Sequence, residues 1–123
     1  MICLTNGVYV TVVGGNYFKE SKQLQVGEIV RFVKDYDNEY DDEAIAVEIS
    51  GIGQVGFVAN STHTVARGTK SAGRIYDTFD DYSYGIVRFI LKGNAIVKLL
   101  DYHEYLLQYD QYIIKTSFFT PKQ

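Results

Sequence analysis

The sequence has 123 residues, of which 46% are hydrophobic and 22% are charged, so it has room for one compact domain. Its 12 basic and 15 acidic side chains give a formal net charge of −3, which excludes a protein that coats nucleic acid through charge alone. One cysteine and two histidines are too few for an internal disulfide or a structural zinc site. No apolar run approaches the ~18 residues of a membrane span, and no secretory leader is evident. We expect a soluble, cytoplasmic domain without metal or cofactor.

Composition favours short strands joined by tight turns. Glycine occurs 11 times against a single proline, and 15% of residues are aromatic, which is more typical of a β-rich domain than of a helical bundle. Runs rich in β-branched and aromatic residues predict strands, and glycine or polar residues between them predict turns. The predicted strands are Val8–Val13, Glu28–Lys34, Ala44–Ile49, Gln54–Val58, Tyr84–Leu91 and Ala95–Leu100.

The segments between the later strands carry helix and hairpin signals. Asn60–Thr62 supplies capping residues and predicts a helix through about Arg67, which Gly68 would end. The following segment, Ser71–Phe79, fits either a second short helix or a loop. Lys92–Asn94 predicts a three-residue hairpin connection.

The residues after the last predicted strand follow a helical pattern. Apolar side chains recur at i, i+3, i+4, i+7 and i+11, and Asp101 stands where an N-cap is expected, which predicts a helix over Tyr102–Tyr112. Its apolar face either covers the chain's own domain or forms a homodimer contact. The predicted organisation is a β-domain over residues 1–100, followed by a helical extension and tail over 101–123. The apolar positions are Tyr102, Tyr105, Leu106, Tyr109 and Ile113.

Two segments match known motifs in part of their sequence but do not meet the structural requirements of those motifs. Gly51–Gly56 fits G-x-G-x-x-G, but a dinucleotide site needs a helix after the loop, and Gln54–Val58 is strand-like, so we predict a hairpin turn. The acidic segment that begins at Asp35 has acidic residues at the first, third and fifth positions of an EF-hand calcium-binding loop. However, Tyr40 and Ala46 occupy the positions that require glycine and glutamate.

No catalytic constellation is apparent. His63 and His103 are far apart in sequence, and neither has a nearby nucleophile or cysteine, while Cys3 resembles a small apolar packing residue. We therefore expect a protein that is not an enzyme.

Charge is distributed unevenly along the chain. Acids are concentrated in the acidic loop, which we define as Asp35–Glu43, so the remainder of the chain has a mildly positive balance. The densest basic group is Arg67, Lys70 and Arg74. On charge alone, both features also fit an ordinary solvated surface.

A composite pattern runs through the first half of the sequence. Val12-Val13-Gly14 precedes the aromatic pair Tyr17-Phe18, the segment Asn38–Val47 reads Asn-x-Tyr-Asp-x-x-Ala-Ile-x-Val, and a Gly-aromatic-Val strand follows at Gly56–Val58. This combination resembles the HIRAN domain, and in particular its small stand-alone bacterial members, over roughly Val8–Leu100.

The resemblance implies both a fold and a function. The fold is a small, mainly antiparallel, OB-like β-barrel of about six strands with one or two short helices. The function is a non-catalytic nucleic-acid-binding module of DNA repair that captures the free 3′-hydroxyl end of single-stranded DNA. The ATPase and zinc-binding functions of larger relatives belong to other modules, for which this chain has no room.

The resemblance also implies roles for individual residues. Asp41 would accept a hydrogen bond from the terminal hydroxyl and disfavour a 3′-phosphate, since a carboxylate repels a phosphate. Aromatic residues would stack on bases or wall the pocket, and basic residues would hold the preceding phosphates. Asn16 stands where DNA-binding relatives have an arginine, which predicts weaker binding or another ligand. The predicted nucleic-acid-binding residues are Asn16, Tyr17, Asn38, Tyr40, Asp41, Phe57, Arg67, Lys70 and Arg74.

Structural roles for these residues remain open at the sequence level. Asn38 and Asp41 also fit a turn in which their side chains bond nearby amides, and the aromatic residues also fit packing on the barrel. The alternative function is a protein-interaction module, with homodimerisation through Tyr102–Tyr112 as one form. The choice between DNA and RNA also remains open.

Overall fold

The fold is a closed β-barrel with short helical segments at its margins. The computed structural model describes residues 7–14 and 23–108. None of the helices in these ranges has the length and hydrophobicity of a membrane-spanning segment. The helical segments are α1 (Ala72–Ile75), a 3-10 turn at Tyr76–Thr78, and α2, whose described part is residues 102–108. The strands are β1 (Tyr9–Val13), β2 (Ile29–Lys34), β3 (Ile45–Ile49), β4 (Gly53–Val58), β5 (Tyr82–Leu91) and β6 (Asn94–Leu100).

The strands close in the order β1-β4-β3-β2-β5-β6, and each neighbouring pair is antiparallel. Strand β1 closes the barrel because it pairs with β4 on one side and with β6 on the other. This architecture confirms the expected small OB-like barrel. The six predicted strands are all present, with bounds shifted by at most two residues.

The barrel interior is filled by aliphatic side chains around one phenylalanine. Phe32, Val47 and Val97 are all fully buried. At Gly85 of β5, an added Cβ would lie 2.6 Å from Val97 Cγ1 and 2.7 Å from Phe32 Cε2. The phenyl ring thus occupies space that any larger residue at position 85 would need, and glycine there is a packing requirement.

The helix predicted after Asn60–Thr62 is wrong, because the chain makes only a turn there. Val65 N donates to Ser61 O at 2.9 Å, as in a helix. The next amide, Ala66 N, instead donates to Thr11 Oγ1 of β1 at 3.1 Å. A side chain of the barrel therefore takes the hydrogen bond that would have continued the helix.

The segment Ser71–Phe79 is α1 followed by the 3-10 turn. Ser71 is the N-cap, and its side chain accepts a hydrogen bond from Arg74 N at 3.3 Å. Ala72 and Ile75 are buried in the main core cluster, so α1 closes part of one barrel end.

The β5–β6 connection has two residues, where three were predicted. Strand β5 ends at Leu91 and β6 begins at Asn94, and these two residues pair directly. Lys92 and Gly93 have φ values of 52° and 83°, the left-handed conformation that a tight type I′ hairpin turn requires at both central positions.

Helix α2 packs against the outer surface of β5. As predicted, Asp101 is its N-cap: Asp101 Oδ1 accepts from Glu104 N at 2.7 Å, and Asp101 N donates to Glu104 Oε1 at 3.2 Å. The Tyr105 ring stacks on Tyr84, with centroids 3.8 Å apart. Tyr102, on the same predicted face, is 72% exposed, so only part of that face covers the barrel. The predicted positions Tyr109, Tyr112 and Ile113 lie outside the described residues.

Candidate nucleic-acid interface

The acidic loop is organised by the side chain of Asn38. Its Oδ1 accepts hydrogen bonds from Tyr40 N and Asp41 N, both at 2.9 Å, and its Nδ2 donates to Asp35 Oδ2 at 3.3 Å. This is the Asx-type turn that asparagine commonly forms, and it explains why the chain reverses here. The side chain of Asn38 therefore shapes the loop, and it retains one amide hydrogen for a further partner.

The carboxylate of Asp41 is held in a fixed orientation. Oδ1 accepts from Glu43 N at 2.9 Å, and Oδ2 accepts from Asn60 Nδ2 at 2.9 Å. The residue is only half-buried. An ionised carboxylate offers about four acceptor positions, so Asp41 keeps free acceptor capacity toward solvent. It is thus both a turn residue and an accessible, oriented acceptor.

Asn60 connects this loop to α1. While its Nδ2 donates to Asp41, its Oδ1 accepts from Gly73 N at 2.8 Å. An added Cβ at Gly73 would lie 2.7 Å from Glu43 Oε1, so α1 and the acidic loop are in close contact. Sequence reasoning assigned Asn60 to a helix cap and missed this bridge.

The Tyr40 ring projects into solvent. It is 95% exposed, and within the described residues its side chain has no hydrogen bond or ring contact. It therefore does not cover the barrel, which was the structural role considered for it. A fully hydrated aromatic ring next to a fixed carboxylate can stack on a flat ligand.

Phe57 lies on the outer face of the barrel. The preceding residue, Gly56, pairs with Val47, whose side chain is in the core, so position 56 faces the barrel interior. Successive residues of a strand face opposite sides of the sheet, so Phe57 faces outward. Phe57 pairs with Val13, the last residue of β1, and with Ala46 at the beginning of β3. It is half-buried. Phe57 thus marks the point where β1 ends, close to where the acidic loop enters β3.

Two of the three predicted basic residues, Arg67 and Lys70, lie in a segment that runs along β1, and Arg74 follows it. Ala59 N donates to Thr11 O at 2.8 Å, and Lys70 N donates to Tyr9 O at 2.7 Å, which fixes both ends of this segment. Arg67, Lys70 and Arg74 are exposed, and none of their side chains forms a hydrogen bond or ion pair within the described residues. Arg74 directly follows Gly73, so it lies one residue from the Asn60 bridge.

The structure brings together some of the predicted residues more closely than others. Asp41 bonds directly to Asn60, Asn38 bonds to the Asp41 amide, and Arg74 follows Gly73, the other partner of Asn60. Phe57 lies three residues before Asn60 in the sequence. Arg67 and Lys70 lie further along β1. Asn16 and Tyr17 fall outside the described residues.

Three further tyrosines, one in the acidic loop and two on β5, were missed by sequence reasoning. The Tyr36 hydroxyl donates to Asp81 Oδ1 at 2.9 Å, and this hydrogen bond is the main cause that raises the pKa of Tyr36 above its usual value. Tyr82 and Tyr84 meet edge to face, with centroids 5.8 Å apart. Arg31 lies over Tyr82, 5.8 Å from its centroid. The alternating spacing of the two tyrosines on β5 was the available signal.

Within the part of the chain that the structure describes, no group of three or more His, Cys, Asp or Glu side chains is arranged to hold a metal ion. In the acidic loop, the Asp41 carboxylate accepts from Glu43 N and Asn60 Nδ2, and the Asp35 carboxylate accepts from Asn38 Nδ2.

Comparison with known proteins places this geometry in a family. No curated protein matches the chain. Among solved structures, the crystal structure of a protein from Lactobacillus plantarum is similar, with a TM-score of 0.53 and 26% identity, covering 75% of this chain and 88% of that one. The family model described as HIRAN domain matches residues 6–77, which is more than half of the chain. The chain therefore belongs to the HIRAN domain family, a family of nucleic-acid-binding modules.

Proposed function

We propose that this HIRAN domain binds the 3′-hydroxyl end of single-stranded nucleic acid, with DNA as the first ligand to test. The observation that supports the proposal most strongly is the Asp41 carboxylate. It is fixed by Glu43 N and Asn60 Nδ2, remains accessible, and lies next to the fully exposed ring of Tyr40.

The chemistry of Asp41 favours an end over an internal linkage. A terminal hydroxyl donates a charge-assisted hydrogen bond to a carboxylate, whereas a phosphodiester or a 3′-phosphate has no proton to donate and carries a negative charge. Because the carboxylate is already oriented, binding costs little further ordering of this side chain.

Neighbouring residues supply the remaining contacts. The Tyr40 ring stacks on the terminal base, an interaction worth about 1–3 kcal/mol per base. Phe57 forms an apolar wall at the end of β1, and Arg74 contacts a preceding phosphate, with Arg67 and Lys70 further along its path. Asn38 acts mainly by holding Tyr40 and Asp41 in the turn.

We expect modest affinity that depends on the end. The chain has a net charge of −3, so the counterion-release term that drives non-specific binding is small. Asn16, in place of the arginine of DNA-binding relatives, removes one cation. Internal segments of a strand should therefore compete poorly with its terminus.

The decisive comparison uses two labelled oligonucleotides that differ only in a 3′-hydroxyl or a 3′-phosphate. Fluorescence anisotropy should show at least roughly tenfold tighter binding of the hydroxyl form, equivalent to one charge-assisted hydrogen bond. Asp41→Asn should lose this preference, whereas Asp42→Asn, an exposed neighbouring carboxylate, should keep it. Equal affinity of the wild-type protein for both ends rejects the proposal. RNA versions of both oligonucleotides establish which sugar is preferred.

We further propose that binding is not accompanied by catalysis. A 5′-labelled oligonucleotide incubated with the protein and magnesium should keep its length and its 3′ end, as judged on a denaturing gel. Shortened or ligated products would assign an enzyme instead.

A protein-interaction role for α2 is the second candidate. Tyr102 and Leu107 are 72% and 51% exposed, although Tyr105 is stacked on the barrel. Large exposed apolar side chains on one short helix fit an interface. Light scattering over a range of concentrations tests homodimerisation, and Tyr102→Ser with Leu107→Ser should abolish any dimer that forms.

A further inference from the structure

Strand β5 is longer than β2, which pairs with one of its two edges. Strand β2 pairs with β5 from Tyr82 to Ile86, and the last bonds on this side join Val87 to Gly27 and Glu28. The chain then turns away at residues 25–28, where Glu28 N donates to Gln25 O. Within the described residues, Phe89–Leu91 pair only with β6, and Arg88 lies at a shift in register between Val87 and Phe89, so one edge of β5 is open from residue 88 to residue 91.

This open edge carries consecutive exposed apolar side chains. Phe89, Ile90 and Leu91 are 38%, 41% and 38% exposed, so both faces of the strand are accessible at this point. Val26, next to the Gly27 bond to Val87, is 62% exposed. Proteins usually protect such an edge with charges, proline or a covering segment, because it is a template for another strand.

The edge belongs to a well-defined hairpin. Leu91 pairs with Asn94, Ile90 with Ala95 and Phe89 with Ile96, and the turn at Lys92 and Gly93 is tight. A preformed edge of this kind loses little conformational entropy when a further strand adds to it.

Charge selects what this edge accepts. Arg88 and Lys92 flank the apolar run on either side, and neither side chain has an ion pair or hydrogen bond within the described residues. Antiparallel pairing with a second copy, centred on Ile90, would place Arg88 opposite Lys92 of the other chain. Since like charges directly opposite one another destabilise a ladder, self-pairing in this register is disfavoured.

We propose that residues 88–91 of β5 bind an extended peptide that has an apolar centre and acidic flanks, and that the peptide adds as a further strand. Main-chain hydrogen bonds to the open edge give affinity, Phe89–Leu91 contact the apolar centre, and Arg88 and Lys92 pair with the acids. The binding partner that supplies this peptide is therefore a protein and not a nucleic acid.

This edge uses residues other than those of the proposed strand-end site. The edge is residues 88–91 of β5, whereas Asp41 and Asn60 lie where the acidic loop meets the start of α1. Tyr82, the first residue of β5, pairs with Val33 near the acidic loop, and six to nine steps of about 3.3 Å place the edge about 20–30 Å from it along the strand. Phe57 is closer, because it pairs with Val13 of β1 and Val12 pairs with Ala95, the partner of Ile90. Asp41→Asn, which is remote from the edge, should therefore leave peptide binding intact.

The experiment uses the full chain and three labelled synthetic peptides. The test peptide has the sequence Glu-Glu-Val-Ile-Val-Glu-Glu, the charge control has lysine at each glutamate, and the backbone control has proline in place of the central isoleucine. We expect saturable binding of the glutamate peptide and at least roughly tenfold weaker binding of both controls. The lysine peptide loses several favourable flanking charges. The proline peptide keeps those charges but loses a main-chain N–H donor and cannot pair as a regular strand. Absence of binding by the glutamate peptide at millimolar concentration overturns the proposal.

A charge exchange in the protein separates this site from general stickiness. The variant Arg88→Glu with Lys92→Asp keeps a residue that tolerates the left-handed conformation at position 92. It should prefer the lysine peptide to the glutamate peptide. Unchanged preference overturns the proposal, as does a concentration-dependent dimer that competes with the peptide. Amide hydrogen exchange gives a second readout, since peptide binding should slow exchange at residues 88–91.

Discussion

Asn60 Nδ2 lies 2.9 Å from Asp41 Oδ2, and this hydrogen bond joins the acidic loop to helix α1. The same side chain accepts from Gly73 N, so one amide orients the proposed ligand-binding carboxylate and fixes the helix that carries Arg74. Asn60 is therefore a positioning residue: it sets the geometry of the site through other groups.

Asn60→Ala should weaken both the fold and the site. Two exposed hydrogen bonds are lost, so we expect the free energy of unfolding to fall by about 1 kcal/mol in a chemical denaturation experiment. The preference for a 3′-hydroxyl over a 3′-phosphate should fall as well, because Asp41 loses its orientation. Thr62→Ala, an exposed neighbour, is the matched control and should leave both quantities unchanged. A variant with wild-type stability and end preference would contradict the role of Asn60.

Tyr40→Ala should separate binding from stability. Because the ring is 95% exposed, its removal should change the free energy of unfolding by less than about 0.5 kcal/mol. Loss of one stacking contact should weaken oligonucleotide binding by roughly tenfold. Tyr40→Phe keeps the ring and should bind nearly as well as wild type. If Tyr40→Ala binds equally well, the ring takes no part in recognition.

Gly85→Ala should destabilise the barrel core. The new Cβ would lie 2.6 Å from Val97 and 2.7 Å from Phe32, and we expect a loss of about 1–3 kcal/mol from overpacking. Adding Phe32→Leu removes one of the two obstacles, so the double variant should lose less stability than the sum of the single variants. Strict additivity would show that the ring is not what excludes a side chain at position 85.

The Tyr36 hydroxyl should titrate later than an ordinary tyrosine. Its hydrogen bond to Asp81 favours the protonated phenol in the folded state, which raises the pKa of Tyr36. The corresponding stabilisation is complete below the unfolded pKa and is lost as pH rises through the folded value. NMR titration of carbon-13-labelled tyrosine should show the pKa of Tyr36 falling in Asp81→Ala and changing less in Asp80→Ala. An unchanged Tyr36 titration in Asp81→Ala would contradict this cause.

The strands were predictable because their signals are local. The segments Val8–Val13 and Ala44–Ile49 are rich in β-branched residues, and turn residues flank them. The observed strands β1 and β3 lie within these two segments. The helix predicted after Asn60–Thr62 does not form, because a residue distant in sequence competes with it. Its caps are local signals, but Thr11, 55 residues from Ala66, provides the competing acceptor.

The residues of the site were predictable only in part, because some of their contacts are local in sequence and others are not. The Asn38 turn is encoded within four residues, and the structure forms it. Asn60 acts on partners 19 and 13 residues away, and no local pattern indicates such a bridge. The open edge of β5 depends on where β2 begins, which is a property of the whole barrel.

Competition between linear and circular single-stranded DNA tests end capture most directly. Both competitors have the same sequence and length, and only the linear one has a 3′-hydroxyl. If the domain recognises a strand terminus, the linear DNA should displace a labelled oligonucleotide at least roughly tenfold more effectively, per molecule, than the circle. Equal displacement by the circle would show that the protein binds internal nucleotides, and it would contradict the role given to Asp41.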